Sequence, residues 1–170
     1  MRNDTHKWDP IDEATEVLIT EAVKVTTFQP ERQVIVSGVP ALKVTDLPLV
    51  SWPEPVTVPS YALVVRRDRV LEVNGPARED GWHDDIECAV SDMSYGYAVF
   101  DIVGPGAFEL LKRGMAITNS PSASVVRSAF GIGAMLYAHG GADSYRMHVG
   151  RAHGQSMRKM LVTYSQAMAD

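Results

Sequence analysis

A single cysteine, Cys88, stands among the 170 residues. An internal disulfide and a multi-cysteine zinc site are therefore excluded. No apolar run approaches the ~20 residues needed to cross a bilayer, so no membrane partner is expected. Asp4, Asp9, Asp12 and Glu13 crowd the N-terminal stretch, where a secretion signal would be basic and then apolar. A reduced, cytoplasmic setting is the expectation. Basic charge is in short supply, and the formal net charge of -5 argues against nucleic acid as a partner. The sequence has no complete dinucleotide-binding glycine fingerprint, no phosphate-loop Gly-Lys-Ser/Thr and no Gly-x-Ser-x-Gly elbow.

What is present suits one globular unit. Apolar residues make up 45% and charged residues 22%, and a chain of this length buries roughly 70% of its unfolded surface. Charge is unevenly placed: residues 1–92 hold nine Lys/Arg against seventeen Asp/Glu, and residues 93–170 hold seven against four. The first dozen residues read as a solvated acidic end. Val17, Ile19, Val23, Val25, Val34 and Val36 alternate loosely with polar residues, a pattern of short strands. Pro40, Pro48, Pro53, Pro55 and Pro59 follow, and a run so rich in proline is expected to form neither a helix nor a central strand. It must lie along a surface, of its own domain or of a neighbour.

Tyr61–Val65 and Val70–Val73 read as strands around a charged turn, and Asn74-Gly75-Pro76 is a stop. Residues 77–85 suit a loop or short helix. Ala89–Met93 and Ala98–Val103 are strand-like. Residues 104–114 suit a helix, with Pro105 in its first turn, Gly114 as a left-handed cap, and Phe108, Leu110 and Leu111 on its apolar face. Val125-Val126 and Ile132–Tyr137 are further apolar runs. His139–Asp143 is a hairpin turn into Tyr145–Val149. Met157, Met160, Leu161, Tyr164 and Met168 recur at helical spacing in a closing helix from Ala152 to Ala169.

The expected fold class is α+β: an antiparallel sheet with two covering helices and an extended N-terminal arm. Residues 1–40 form the arm with its short strands, and 41–170 a single domain. Within it the proline-rich segment spans 40–59 and the best-defined core spans 86–168.

Few residues invite a chemical role. His139, His148 and His153 lie close in sequence, but no pair has the i, i+4 spacing of a metal-binding helix and no acidic cluster adjoins them. Hydrogen-bonded or solvated histidines are expected instead. Cys88 with His83 could form a nucleophile pair, yet a cysteine ahead of Ala89-Val90 reads as strand core. Gly104-Pro105-Gly106 and Gly131-Ile132-Gly133 are the glycine-rich spots, explained as turns as readily as anion cradles. Asp92 and Asp101 do not form a catalytic pair. No catalytic, cofactor-binding or metal-binding residue is assigned.

The stretch AVSDMSYGYAVFDIVGPGAFELLKRG (89–114), then VVRSAFGIGAMLYAHGGADSYRMHV (125–149) and the closing helix, resembles the gamma subunit of heterotetrameric sarcosine oxidase. That subunit is similar in turn to part of the glycine-cleavage T-protein, the folate-binding aminomethyltransferase fold. Asp92-Met93-Ser94, Gly104-Pro105-x-Ala107 and Leu110-Leu111 ending at Gly114 carry the likeness. The resemblance implies a non-catalytic gamma subunit in a flavin-dependent complex that oxidatively demethylates sarcosine or a related N-methylated amino acid. The one-carbon unit would pass to tetrahydrofolate or leave as formaldehyde. It implies alpha, beta and delta partner subunits, with alpha the main contact. FAD, FMN, NAD, tetrahydrofolate and zinc would all lie on those partners and none on this chain. The alternative is a stand-alone folate-binding protein of the same fold, although the Lys-Gly-Cys-aromatic-x-Gly-Gln motif of such relatives does not occur.

Overall fold

The structure, a computed structural model, describes residues 16–118 and 120–168. Its elements in chain order begin with β1 (Glu16–Ile19), β2 (Lys24–Phe28), β3 (Gln33–Ser37), α1 (Ala41–Val44) and β4 (Leu49–Val50). They continue with β5 (Tyr61–Arg66), β6 (Arg69–Val73), β7 (Gly81–His83), β8 (Cys88–Asp92), β9 (Tyr97–Val103) and α2 (Ala107–Gly114). The last are β10 (Val126–Ala129), β11 (Ile132–Ala138), β12 (Ser144–Gly150) and α3 (Gly154–Gln166).

Side chains on a strand point alternately to opposite faces, and here both faces of each sheet find apolar partners. The first sheet runs β1-β2-β9-β12-β11-β10, the second β4-β5-β6-β3-β8-β7. All pairs are antiparallel except β4 with β5. Phe100, Ile102, Leu136, Met147 and Val149 point from the first sheet into a core shared with Leu110 and Leu111 of α2 and Met157 and Leu161 of α3. The next residues along the same strands face the second sheet. Met135 and Tyr137 meet Tyr61, Leu63, Leu71 and Val73 there. The outer face of the second sheet carries Val34, Val36, Val70, Cys88 and Val90 under Ala41 of α1. The layers are therefore α2 and α3, first sheet, second sheet, and a cover of α1 and loops.

The α+β class and the two helices over an antiparallel sheet match the sequence reading, with a second sheet added. Residues 24–37 do not form an arm. β2 and β3 are interior strands, one in each sheet, because Val25 and Val34 are needed in two separate cores. The acidic stretch 1–15 lies outside the described residues. The proline-rich segment does contain one helical turn, α1, which Pro40 precedes at a position where no backbone donor is required. The segment lies on its own domain. Trp52 exchanges backbone hydrogen bonds with Ser122 and its indole Nε1 donates to the Thr118 carbonyl at 2.7 Å. The Val56 N–H donates to the Ala138 carbonyl. Residues 77–85 include the edge strand β7. Gly114 is not a left-handed cap: Met115 closes α2 in extended geometry, and a Cβ at Gly114 would collide with the Phe130 ring.

Candidate functional site

Polar residues occupying apolar positions of a strand need bonded partners. β12 places two of them, Arg146 and His148, on the face opposite Met147 and Val149, so both point into the layer between the sheets. Their partners arrive from five other strands.

His148 is fully buried, and its Nδ1 lies 2.8 Å from Gln33 Oε1 on β3. Its Nε2 lies 2.8 Å from the hydroxyl of Tyr137 on β11. The Tyr137 hydroxyl lies 2.7 Å from that of Tyr61 on β5, and Arg146 Nη1 donates to the Tyr61 oxygen at 3.2 Å. Arg146 then pairs with Asp101 of β9, Nε donating to Oδ1 at 2.6 Å and Nη2 to Oδ2 at 2.9 Å. The ring of Phe28, on β2, lies 3.7 Å from the guanidinium carbon, a cation–π contact.

One donor order satisfies every member. Gln33 Nε2 donates to the Ser94 carbonyl, so its oxygen faces His148 and accepts from Nδ1–H. Nε2 is then bare and accepts from Tyr137. Tyr137 accepts from Tyr61, and Tyr61 accepts from Arg146. The chain runs one way, from Arg146 to the Ser94 carbonyl, and consecutive bonds polarise one another in such an arrangement.

Electrostatics agree with that order. Burial, with the charge of Arg146 and the neighbourhood of His139, lowers the pKa of His148 to about 3, so its ring is neutral. Burial and the adjacent Tyr61 hydroxyl hold Tyr137 well above the ordinary phenol value. Burial opposes the charge on Arg146, but its bonds and Coulomb attraction to Asp101 outweigh this and keep the guanidinium charged. The arrangement is a polar spine joining two sheets, with its donors and acceptors matched to each other.

The three histidines are not brought into one site. His139, half-buried, packs its ring near Tyr61 and Tyr137. His153 is exposed beyond the other end of β12. Among the described residues no three His, Cys, Asp or Glu side chains gather as metal ligands. Cys88 and His83 sit opposite each other in the β7–β8 ladder, but His83 Nε2 is 2.7 Å from the Glu79 carbonyl. Burial raises the Cys88 thiol, the reverse of what a nucleophile needs. Gly104 and Gly131 both have positive φ and serve turns. Asp92 caps the turn to Ser94, accepting from its backbone N–H at 2.8 Å. Asp101 belongs to the spine and not to a carboxylate pair.

Gln33, Tyr61 and Tyr137 escaped the sequence reading, since each sits in an apolar strand pattern. The one usable signal was Arg146 and His148 alternating with Tyr145, Met147 and Val149.

No family model and no curated protein matches the sequence. Among solved structures, a chain of the heterotetrameric sarcosine oxidase from Corynebacterium sp. U-96 in complex with pyrrole 2-carboxylate shares the fold, with a TM-score of 0.68 and 18% identity. The match covers 91% of this chain and 89% of that one. At that identity the likeness is one of fold, and it extends well beyond the C-terminal half that carried the sequence resemblance.

Proposed function

We propose that this chain is a non-catalytic structural subunit of a multi-subunit, flavin-dependent amine oxidoreductase of the sarcosine oxidase kind. The observation that carries the reading is a fold shared across nine-tenths of both chains with a component of such a heterotetramer. The placement of reactive groups supports it. His148, Tyr137, Arg146 and Glu72 are buried and bonded within the chain, and Cys88 is buried with a raised thiol pKa.

In this reading FAD, FMN, NAD, tetrahydrofolate and zinc belong to subunits of the alpha, beta and delta type, with this chain docked mainly on alpha. The complex oxidises an N-methyl group of sarcosine or a related amine and delivers the one-carbon unit to tetrahydrofolate or as formaldehyde.

The test is a pull-down of the tagged chain from cells that make it natively, with subunit masses and the visible spectrum of the eluate recorded. A yellow eluate with large, medium and very small companion subunits is expected. A colourless eluate containing this chain alone overturns the proposal. Saturable binding of a reduced folate, followed by tryptophan fluorescence, would then favour a stand-alone folate-binding protein.

A further inference from the structure

We propose that the chain from Arg146 to Gln33 is a proton-sensitive lock between the two sheets, closed only while His148 is neutral with its proton on Nδ1. Both sheets contribute to it: β3 and β5 from one, β9, β11 and β12 from the other. Its bonds therefore join the two layers.

The count of donors shows why a second ring proton breaks it. An imidazolium donates from both nitrogens, so Nε2–H would point at the Tyr137 oxygen. Tyr137 would then have to donate toward Tyr61, whose oxygen already accepts from Arg146. The Tyr61 proton would be left between two donors with no acceptor in the chain. The Gln33 end cannot relieve this, because its amide orientation is held by Ser94.

The count of charges leads the same way. The groups facing His148 are Gln33 from β3, Tyr137 from β11, Tyr97 from β9, Arg146 on β12, and His139 from the turn after β11. Tyr61 of β5 and Asp101 of β9 stand one step further along. Asp101 is the one carboxylate of this set, and Arg146 occupies both of its oxygens. An imidazolium would add an unpaired positive charge to a buried layer that already holds Arg146, and buried charges persist only when paired. Since His148 has no exposed surface, the proton can reach it only after the sheets part, and it then traps the parted state.

The measurement is the urea-unfolding equilibrium of the full chain at pH 7 and pH 5, for the wild type, His148→Gln and His139→Gln. The amide introduced by His148→Gln could still accept from Tyr137 and donate to Gln33. The wild-type unfolding constant should rise between the two pH values by roughly 25-fold more than that of His148→Gln, and His139→Gln should retain most of the excess. Equal slopes for wild type and His148→Gln would overturn the lock. Should His148→Gln not fold, long-range proton–nitrogen NMR on the wild type decides: a native Nδ1–H tautomer that stays neutral at pH 5 supports the proposal. An Nε2–H tautomer, or titration near the ordinary histidine value in the native state, refutes it.

Discussion

Arg146 and Asp101 stand directly opposite each other in the β9–β12 ladder and bond through two nitrogens and two oxygens, at 2.6 and 2.9 Å. The Arg146 side chain is almost wholly buried, whereas that of Asp101 keeps about a quarter of its surface, 24%. Cutting this pair from either side strands a charge, but the arginine has less access to water. Asp101→Asn should therefore destabilise the protein by ~3 kcal/mol, the lower end for a broken buried pair. Adding Arg146→Met to it should recover part of that loss by removing the orphaned charge. Urea titration of the single and double variants checks this; additive losses would show that Arg146 matters to packing more than to the pair.

Glycines offer a graded test of the backbone. Gly104 has φ +126°, and a Cβ there would lie 2.5 Å from the Ala22 carbonyl oxygen. Gly131 has φ +79° in the β10–β11 turn with nothing within 4 Å, and Gly133 has open space and no left-handed φ. Gly104→Ala combines backbone strain with a collision against main chain and should cost at least ~2 kcal/mol. Gly131→Ala carries strain alone, ~1 kcal/mol. Gly133→Ala should be within ~0.5 kcal/mol of wild type. Thermal unfolding of the three variants should rank them in that order.

The contrast between what the sequence showed and what it hid follows from what periodicity measures. Ile132–Tyr137 and Tyr145–Val149 were legible as a hairpin because the first is a short apolar run, the second alternates apolar and polar residues, and Gly140 sits in the turn between them. α3 was legible from Met157 and Leu161, four apart. The second sheet was not, because β3 and β8 are neighbours in space but far apart in the chain, and alternation says only that a strand has a buried face. The polar spine was least legible of all. Gln33 bonds His148 across 115 positions, and Tyr61 meets Arg146 across 85. A lone His, Gln or Tyr in a strand carries no mark of the partner that makes its burial tolerable. The proline-rich segment misled in part because a short helix needs only one turn without an interior proline.

A second buried ion pair holds the loop after β6. Glu72 is fully buried, and Arg78 reaches it with Nε at 2.8 Å and Nη2 at 2.9 Å. The two ends differ, because 21% of the Arg78 side chain is exposed and none of the Glu72 side chain. Arg78→Ala leaves a carboxylate that cannot reach water, and should cost ~3–5 kcal/mol. Glu72→Gln leaves a guanidinium that can turn outward, and should cost about half as much. Denaturant midpoints of the two variants decide; equal losses would mean that the loop opens freely and lets Glu72 hydrate.

Cys88 provides the last check, on the outer face of the second sheet. It is fully buried beside Val36 and Val90, and Gly38 leaves it room: a Cβ at Gly38 would lie 2.7 Å from its sulfur. Burial raises its thiol pKa, Arg78 draws it down and Glu87 raises it, with a net upward result. Thiolate is the reactive form, and the sulfur is also shielded, so both effects slow its attack on a disulfide reagent. Native protein at pH 7 should react only as fast as the sheet opens, and in strong denaturant the reaction should be immediate. Raising the pH to 9 should accelerate the native reaction less than that of an unfolded thiol, because the opening step does not depend on thiolate formation. A native rate matching the unfolded one would show that α1 and its flanking loops do not cover this face in solution. Gly38→Ala, which pushes on the same sulfur, should then have little effect on stability, whereas a closed face makes it strongly destabilising.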